Sequence, residues 1–308
     1  MESGCRPGRL PRLPRGTSAW VYRYRGGVSR QIWRFNSNAA PHLRFRYLFP
    51  YAGSLDFSVD RRGAVHYSSH ATKAYAESLP PGVLIMPIVD ARNDGGELDG
   101  WTDDQYCALA REVARAVIDD PNAAGVQIDI EPFRPDHLPF YRHLREMLNR
   151  EGKYSTMFVG PKNKELLARI FLSCDMVVMS GYDLDGEGTP LEQYRDALGS
   201  AVARFQEVAE QVGGQYMVGI PAAASWGEYE YVAGGEGERV ESGVKQEEYV
   251  QAALDILREY RGRDEYVGLA LWHMSDPESD LESPKTATRR TKFPNIIRES
   301  VWRMLESY

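Results

Sequence analysis

The chain has 308 residues, of which 43% are hydrophobic, so it is long enough to form one large domain with a sizeable core. Its formal net charge of −7 argues against a general nucleic-acid-binding protein, because such domains are usually basic. No stretch approaches the roughly 18 consecutive apolar residues that a membrane span requires. We therefore expect a protein that binds no nucleic acid and has no membrane span.

The first 18 residues are rich in arginine, proline and glycine, and they lack the apolar segment of a secretory signal. We expect residues 1–18 to form a disordered tail and residues 19–308 to form the folded domain. Without an export signal, the cytoplasm is the default compartment. The cysteines at positions 5, 107 and 174 have neither disulfide nor zinc-site spacing, which favours buried free thiols.

Eight apolar segments alternate with segments of helical period along the whole chain. Several are apolar throughout, which is typical of strands covered on both faces. The candidate strands are Ala19–Tyr24, Leu43–Phe49, Val83–Val89, Gly125–Ile130, Tyr154–Val159, Met176–Met179, Tyr216–Ile220 and Val267–Trp272. Between the third and fourth of them, Thr102 and Gln105 form a capping-box pattern that predicts the start of a helix.

Eight strand–helix units without a Pro/Gly/Ser-rich linker predict an α/β fold, a single (β/α)8 TIM barrel. The alternative is an open doubly wound sheet, but no glycine-rich phosphate turn follows the first candidate strand. The longest irregular segment, Ala222–Glu241, follows the seventh candidate strand and contains Trp226. Loops of this length are usually functional or disordered.

The fourth candidate strand ends in polar residues. Because side chains alternate along a strand, Gln127, Asp129 and Glu131 share one face, which points into a barrel. Active sites of such barrels lie at the carboxyl ends of the strands, and polar groups are costly to bury without partners or a function. Two interpretations stay open: these carboxylates carry chemistry, or they pair with a base such as Arg134.

The same strand resembles the family 18 glycoside hydrolases. The family pattern on its fourth strand is D-G-x-D-x-D-x-E, and the chain matches it at Gly125, Asp129 and Glu131. It departs at Ala124, where the family has Asp, and at Gln127, where the family has Asp or Asn.

Two later strands extend the resemblance. Tyr182 and Asp183 match the Tyr-Asp of the family's M-x-Y-D on the sixth strand, with Ser180 in place of Met. Trp272 ends the eighth strand, where the family also has a tryptophan. The three matches fall in order over most of the chain.

The resemblance implies a retaining, substrate-assisted glycoside hydrolase of glycans containing β-linked N-acetylglucosamine, such as chitin-like oligomers, peptidoglycan or the N-glycan core. Glu131 would protonate the glycosidic oxygen, and the substrate's 2-acetamido oxygen would attack the anomeric carbon. Asp129 would orient the acetamido nitrogen, and Tyr182 would hold its carbonyl oxygen. Trp272 would form the floor of the site, and Asp183 would bind a sugar hydroxyl. No metal or organic cofactor is implied.

The departure at Gln127 bears on turnover. In the family, the Asp at this position helps the residue at 129 to switch partners, whereas glutamine can hydrogen-bond Asp129 but cannot take up a proton. The substitution predicts slower turnover or a shifted pH optimum, or in the stronger case a loss of activity.

Other residues near the strand ends are weaker candidates for sugar binding. Asn163 either reaches the site or caps a helix, and Trp226 either stacks on an outer sugar or fixes its loop. His66 and His70 have the spacing of two zinc ligands on one helical face, but no third ligand is evident and surface histidines are favoured. The remaining candidates follow the second and third strands: Tyr51, Asp90, Arg92, Asn93 and Asp94.

Two other functions stay open beside the hydrolase. A chitinase-like barrel that has lost turnover would bind carbohydrate without cleaving it, because function follows from the site and not from the fold. A barrel glycosidase of another family would use Asp129 and Glu131 directly on a sugar without an acetamido group.

Overall fold

The computed structural model describes residues 10–22, 26–57, 63–182, 184, 190–223, 229–231, 239–241, 244–274 and 296–308. Twelve strands lie within these ranges: β1 Ser18–Val21, β2 Tyr47–Phe57, β3 Gly63–Tyr67, β4 Leu84–Ile85, β5 Ile88–Arg92, β6 Gly125–Glu131, β7 Tyr154–Val159, β8 Met176–Ser180, β9 Tyr216–Pro221, β10 Tyr229–Tyr231, β11 Arg239–Glu241 and β12 Tyr266–Trp272. The helices in the same ranges are α1 Gly26–Asn38, α2 His70–Ser78, α3 Asp103–Ile118, α4 Leu138–Arg150, α5 Lys164–Phe171, α6 Leu191–Val212, α7 Gln246–Leu257 and α8 Glu299–Ser307.

Eight parallel strands close into a barrel. The strand order is β1, β12, β9, β8, β7, β6, β5 and β2, and β1 also pairs with β2, which completes the ring. Within the described residues, helices separate consecutive barrel strands, and their apolar faces cover the outside of the sheet. The predicted (β/α)8 TIM barrel is confirmed.

The second and third barrel strands differ from their predicted bounds. β2 runs to Phe57, beyond the predicted end at Phe49, because its second half forms an antiparallel hairpin with β3. The third strand is divided into β4 and β5, with Pro87 between them. Proline has no backbone N–H, so it interrupts a strand ladder.

Part of the predicted amino-terminal tail is ordered. Leu13 is buried, its backbone N–H donates to Gln215 Oε1 at 2.8 Å, and its carbonyl accepts from Gln215 Nε2 at 3.0 Å. Arg12 and Arg15 donate to backbone carbonyls near the start of β12, including Asp264 O at 3.0 Å from Arg12 Nη2. The prediction of disorder is therefore wrong for residues 10–18, and residues 1–9 lie outside the described residues.

Local helix signals agree with the structure in one case and not in another. Thr102 and Gln105 form the predicted capping box, with Thr102 N donating to Gln105 Oε1 at 2.8 Å. His66 lies in β3 and His70 begins α2, so the two do not share a helical face. Both are exposed, as expected of surface histidines. None of the described helices is long and apolar enough to cross a membrane.

Candidate active site

The polar face of β6 points into the barrel. Gln127 is fully buried, whereas Asp129 and Glu131, closer to the carboxyl end, are partly buried. The alternate residues Val126 and Ile128 are also buried, on the side of the helices. The strand therefore presents its two carboxylates at the end of the barrel where active sites of this fold lie.

Gln127 is fixed from the opposite side of the barrel. Trp20 Nε1, on β1, donates to Gln127 Oε1 at 2.5 Å, and both side chains are buried. Because β1 and β6 are not neighbours in the sheet, this hydrogen bond crosses the barrel interior. Within the described part of the chain, Gln127 Nε2 and Asp129 Oδ1 have no hydrogen-bond partner, although both atoms are buried.

Three carboxylates lie together at this end and are called the carboxylate cluster: Asp90, Asp129 and Glu131. The parallel register of β5 and β6 aligns Asp90 with Asp129. Burial, followed by the negative charges of Glu131 and Asp90, raises the pKa of Asp129 to about 8. Burial also raises the pKa of Asp90, while the Tyr51 hydroxyl and Arg92 oppose that rise. Asp129 is therefore largely protonated at neutral pH.

Arg92 is the cation beside this cluster. Its Nη1 lies 2.9 Å from Glu131 Oε2, and the two side chains are 74% and 45% exposed. Arg134, which the sequence offered as a partner for the β6 carboxylates, instead pairs with Asp99 in the preceding loop. The prediction that a base such as Arg134 pairs with these carboxylates is therefore wrong as to the residue, because the strand register places Arg92 beside Glu131.

Aromatic side chains from β1, β7, β12 and the segment after β8 contact one another at this end of the barrel and are called the aromatic cluster: Trp20, Phe158, Tyr182 and Trp272. Tyr182 and Trp272 stack with ring centroids 4.5 Å apart and planes 9° from parallel. The edge of Trp20 meets both rings, at centroid distances of 5.8 Å and 5.7 Å. A β-carbon at Gly219 would lie 2.9 Å from Trp20 and 3.1 Å from Tyr182, so glycine is required beneath these rings.

Tyr22 joins the two clusters. Its ring meets the edge of Trp272 at a centroid distance of 5.4 Å. The residue is 40% exposed, but its hydroxyl end is desolvated beside the carboxylates. Burial of that hydroxyl and the charges of Asp129 and Glu131 raise the pKa of Tyr22. The sequence contained a signal for Trp20 and Tyr22 that our prediction missed, since alternation puts both on the inner face of the first strand.

The loops after β5 and β6 are tied to each other. Asn93 N donates to the Glu131 carbonyl at 2.7 Å, and Asn93 Oδ1 accepts from Leu98 N at 3.0 Å. Asn93 Nδ2 lies 3.2 Å from His137 Nε2. Asn93 is fully buried, so it holds these loops together and does not line the site as predicted. These hydrogen bonds join the loops that follow Arg92 and Glu131, next to the carboxylate cluster.

The other predicted site residues have different outcomes. The Tyr51 hydroxyl donates to Asp90 Oδ1 at 3.4 Å, which brings this pair to the carboxylate cluster. Asn163 is exposed and caps α5, where its Oδ1 accepts from Leu166 N at 2.9 Å. Asp183 and Trp226 lie outside the described residues. Among the residues that are described, no group of three His, Cys, Asp or Glu side chains is arranged to hold a metal ion.

Comparisons with known proteins identify the fold. No family model matches the chain, and no curated protein matches its sequence. Solved structures of similar shape include a chitinase from Chromobacterium violaceum, with 11% identity, a TM-score of 0.57, and coverage of 95% of this chain and 98% of that one.

Two further solved chitinases are similar to this chain in structure. A class V chitinase from Pseudomonas fluorescens has 12% identity and a TM-score of 0.57, covering 95% of this chain and 99% of that one. A chitinase from Bacteroides thetaiotaomicron has 13% identity and a TM-score of 0.56, covering 84% and 89%. At this identity the likeness concerns the fold: the chain has the (β/α)8 barrel fold of these solved chitinases.

Proposed function

We propose that the chain is a retaining glycoside hydrolase that cleaves glycans containing β-linked N-acetylglucosamine, with Glu131 as the proton donor. One observation carries the proposal: Asp129 and Glu131 lie on one face at the carboxyl end of β6, and the stacked Tyr182, just after β8, and Trp272, at the end of β12, lie at the same end of the barrel. Carboxylates beside a flat aromatic surface suit a sugar ring, whose C–H face packs on aromatic side chains.

Each group in the site has a role in this chemistry. Glu131 gives a proton to the glycosidic oxygen as the bond to the anomeric carbon breaks, while the 2-acetamido oxygen of the substrate attacks that carbon. Asp129 binds the acetamido nitrogen, and Tyr182 binds its carbonyl oxygen. Water then opens the oxazolinium ring, and Glu131 takes a proton from this water.

The protonation state of Asp129 in the resting protein supports a proton that Asp129 and Glu131 share. Because the pKa of Asp129 is raised to about 8, that side chain holds a proton at neutral pH next to Glu131. When Asp129 passes the proton to Glu131, its own carboxylate forms and stabilises the positive charge of the oxazolinium ion. Two carboxyl groups with different proton affinities are the usual arrangement for acid–base work.

Glu131→Gln tests the proton donor. Glutamine keeps the size and hydrogen bonding of the side chain but delivers no proton, so turnover of N-acetylated chito-oligosaccharides should fall by roughly 10²–10⁴-fold. Binding of the same oligosaccharides, measured by calorimetry, should persist. Glu97→Gln is a matched control, because Glu97 is exposed in the loop after β5 and outside the carboxylate cluster.

A thiazoline analogue of the oxazolinium intermediate tests the nucleophile. It should inhibit the wild type more tightly than substrate binds, because it copies the intermediate. Products read by mass spectrometry and NMR should retain the β configuration. A protein that binds N-acetylated oligosaccharides equally well before and after Glu131→Gln and cleaves none of them is a carbohydrate-binding protein. One that cleaves only glycans without acetamido groups is a glycosidase of another mechanism.

A further inference from the structure

Arg92 stands beside Glu131 because of the barrel register. β5 and β6 align Arg92 with Glu131, and two residues earlier they align Asp90 with Asp129. Alternate residues of a strand share a face, so these four side chains stand in two adjacent pairs at the end of the barrel. The 2.9 Å contact between Arg92 Nη1 and Glu131 Oε2 therefore follows from the backbone arrangement of two barrel strands.

This ion pair weakens during the proposed reaction. Glu131 has to hold a proton before it protonates the glycosidic oxygen, and a neutral carboxyl group no longer carries the charge that pairs with the Arg92 guanidinium. The pair is exposed, at 74% for Arg92 and 45% for Glu131. Exposed ion pairs contribute little to stability, so a substrate can displace this one at little cost.

Asp90 offers Arg92 a second carboxylate. It precedes Arg92 by two residues on the same face of β5, and the charge of Arg92 already opposes the rise in the pKa of Asp90 that burial causes. The Tyr51 hydroxyl holds Asp90 Oδ1 at 3.4 Å, which is long for an O–H···O hydrogen bond. Asp90 can therefore accept the guanidinium.

We propose that Arg92 is a positioning residue that holds Glu131 in the resting protein and releases it to the substrate by moving to Asp90. The proton on Asp129 then passes to the freed Glu131 carboxylate, so Asp129 becomes a carboxylate as Glu131 becomes the acid. Glu131 transfers this proton to the glycosidic oxygen. The contact between Arg92 and Glu131 rests on the strand register, and the proton transfer to the glycosidic oxygen rests on the proposed function.

The charges around Glu131 predict the direction in which the pKa of Asp129 changes when Arg92 is replaced. Among the described residues, the ionisable groups around Glu131 and Asp129 include one cation, Arg92 on β5, and the following acids: Asp90 on β5, Asp129 on β6, Tyr22 just after β1, Tyr51 on β2 and Tyr141 on α4. Arg92 is the one cation of this set, and it lowers the proton affinity of Asp129. Removing its charge therefore raises the pKa of Asp129.

Three variants test whether the charge of Arg92 holds Glu131 in the resting protein. Arg92→Gln removes the charge, Arg92→Lys keeps it, and Arg134→Gln is a matched control because Arg134 pairs with Asp99. Carbon-13 carboxyl shifts, with the Asp129 resonance assigned from Asp129→Asn, report the titration without substrate. A neighbouring opposite charge lowers the pKa of a carboxyl group by ~1–3 units. Arg92→Gln should therefore raise the pH at which Asp129 titrates by about one unit. The pH at which kcat/KM falls on the basic side should rise by the same amount. Arg92→Lys and Arg134→Gln should move neither.

The transfer to Asp90 is tested by combining variants. If Arg92 moves to Asp90, Asp90→Asn lowers kcat, and Arg92→Gln/Asp90→Asn loses little more than the more damaged single variant, because residues that act as a unit are not additive. Asp90→Asn/Arg134→Gln should be additive. Additive losses in Arg92→Gln/Asp90→Asn, or an unmoved Asp129 titration in Arg92→Gln, would overturn the inference.

The same experiment separates this inference from the proposed function. A protein that cleaves no N-acetylated oligosaccharide, yet shows the shifted Asp129 titration in Arg92→Gln, loses the function and the transfer step and retains Arg92 as the residue that holds Glu131. A protein that cleaves them with an unmoved titration retains the function, and Arg92 is then an ordinary surface side chain.

Discussion

Trp20 Nε1 donates a hydrogen bond of 2.5 Å to Gln127 Oε1 across the barrel interior, and this bond decides which way the Gln127 amide faces. Indole N–H is a donor only, so it requires the carbonyl side of the amide. The Gln127 amino group is left to face the remaining space, where it has no partner within the described ranges. Gln127 thus has an N–H donor without a partner among the described residues and no site that could take up a proton.

Replacing Gln127 by aspartate should change the pH profile. The new carboxylate, which is one methylene shorter than the glutamine amide, would place a further negative charge next to Asp129 on its strand face. Like charges raise carboxyl pKa values, so the basic limb of kcat/KM on N-acetylated oligosaccharides should move to higher pH, with a higher kcat. An unchanged profile would mean that Asp129 exchanges its proton without help from position 127.

Gln127→Leu isolates the structural part of this contact. It keeps a similar volume but leaves the buried Trp20 N–H without an acceptor, which should lower the free energy of unfolding by about 1–3 kcal/mol. Urea denaturation measures the change. A Gln127→Glu variant retains an acceptor for the Trp20 N–H and should recover most of this loss at a pH low enough to keep the buried carboxyl group protonated.

Asp129 should make the protein less stable as the pH rises. Its pKa in the folded state is about 8, above the usual 3.8, so the folded state binds this proton more tightly than the unfolded state does. The resulting stabilisation is complete below about pH 4 and is lost as the pH rises toward 8. Asp129→Asn removes this titration, so its stability relative to wild type should increase between pH 4 and 8 by on the order of a few kcal/mol.

Denaturation curves at several pH values check this dependence. Asp104→Asn is a suitable control, because Asp104 is exposed in the first turn of α3 and remote from the carboxylate cluster. If Asp129→Asn follows wild type in parallel at every pH, then Asp129 is not the buried acid that its surroundings indicate.

Tyr182 and Trp272 should separate catalysis from stability. Tyr182→Phe keeps the stacked ring and loses the hydroxyl, so kcat should fall about tenfold or more while unfolding changes little, as expected when one hydrogen bond of ~1 kcal/mol is lost. Trp272→Ala removes the ring that stacks on Tyr182 and should cost about 2–4 kcal/mol of stability as well as sugar affinity.

The exposed Trp33 on α1 supplies the comparison for Trp272. It is 48% exposed, so Trp33→Ala should cost less stability and should leave sugar affinity unchanged. Sugar affinity that is also unchanged in a folded Trp272→Ala protein would remove Trp272 from the substrate-binding surface.

Asn163 should act on stability alone. Loss of the helix cap in Asn163→Ala should lower the free energy of unfolding by about 1 kcal/mol, and Asn163→Asp should restore it, because both residues are good caps. Neither variant should change kcat/KM. A selective loss of kcat/KM in Asn163→Ala, without a loss of stability, would return Asn163 to the sugar-binding candidates.

The sequence by itself determined the barrel and the carboxyl face of β6. Alternating strand and helix periods are local patterns, and they predicted the eight barrel strands in order. The shared face of Asp129 and Glu131 also follows from local geometry, since alternation is a property of any extended chain. The helix cap at Thr102 was predictable for the same reason, because its partner lies three residues away.

Only the tertiary structure decided which side chains meet across the barrel. Trp20 and Gln127 are 107 positions apart in sequence, and they touch only because the sheet closes. Arg134 is closer to Glu131 in the sequence, but Arg92 is the residue that pairs with Glu131, because the register of β5 against β6 aligns Arg92 with Glu131. Residues 10–18 are ordered for a similar reason, since Leu13 hydrogen-bonds to Gln215, which lies 202 positions later in the sequence. Such contacts depend on strand order and closure, which a local pattern does not contain.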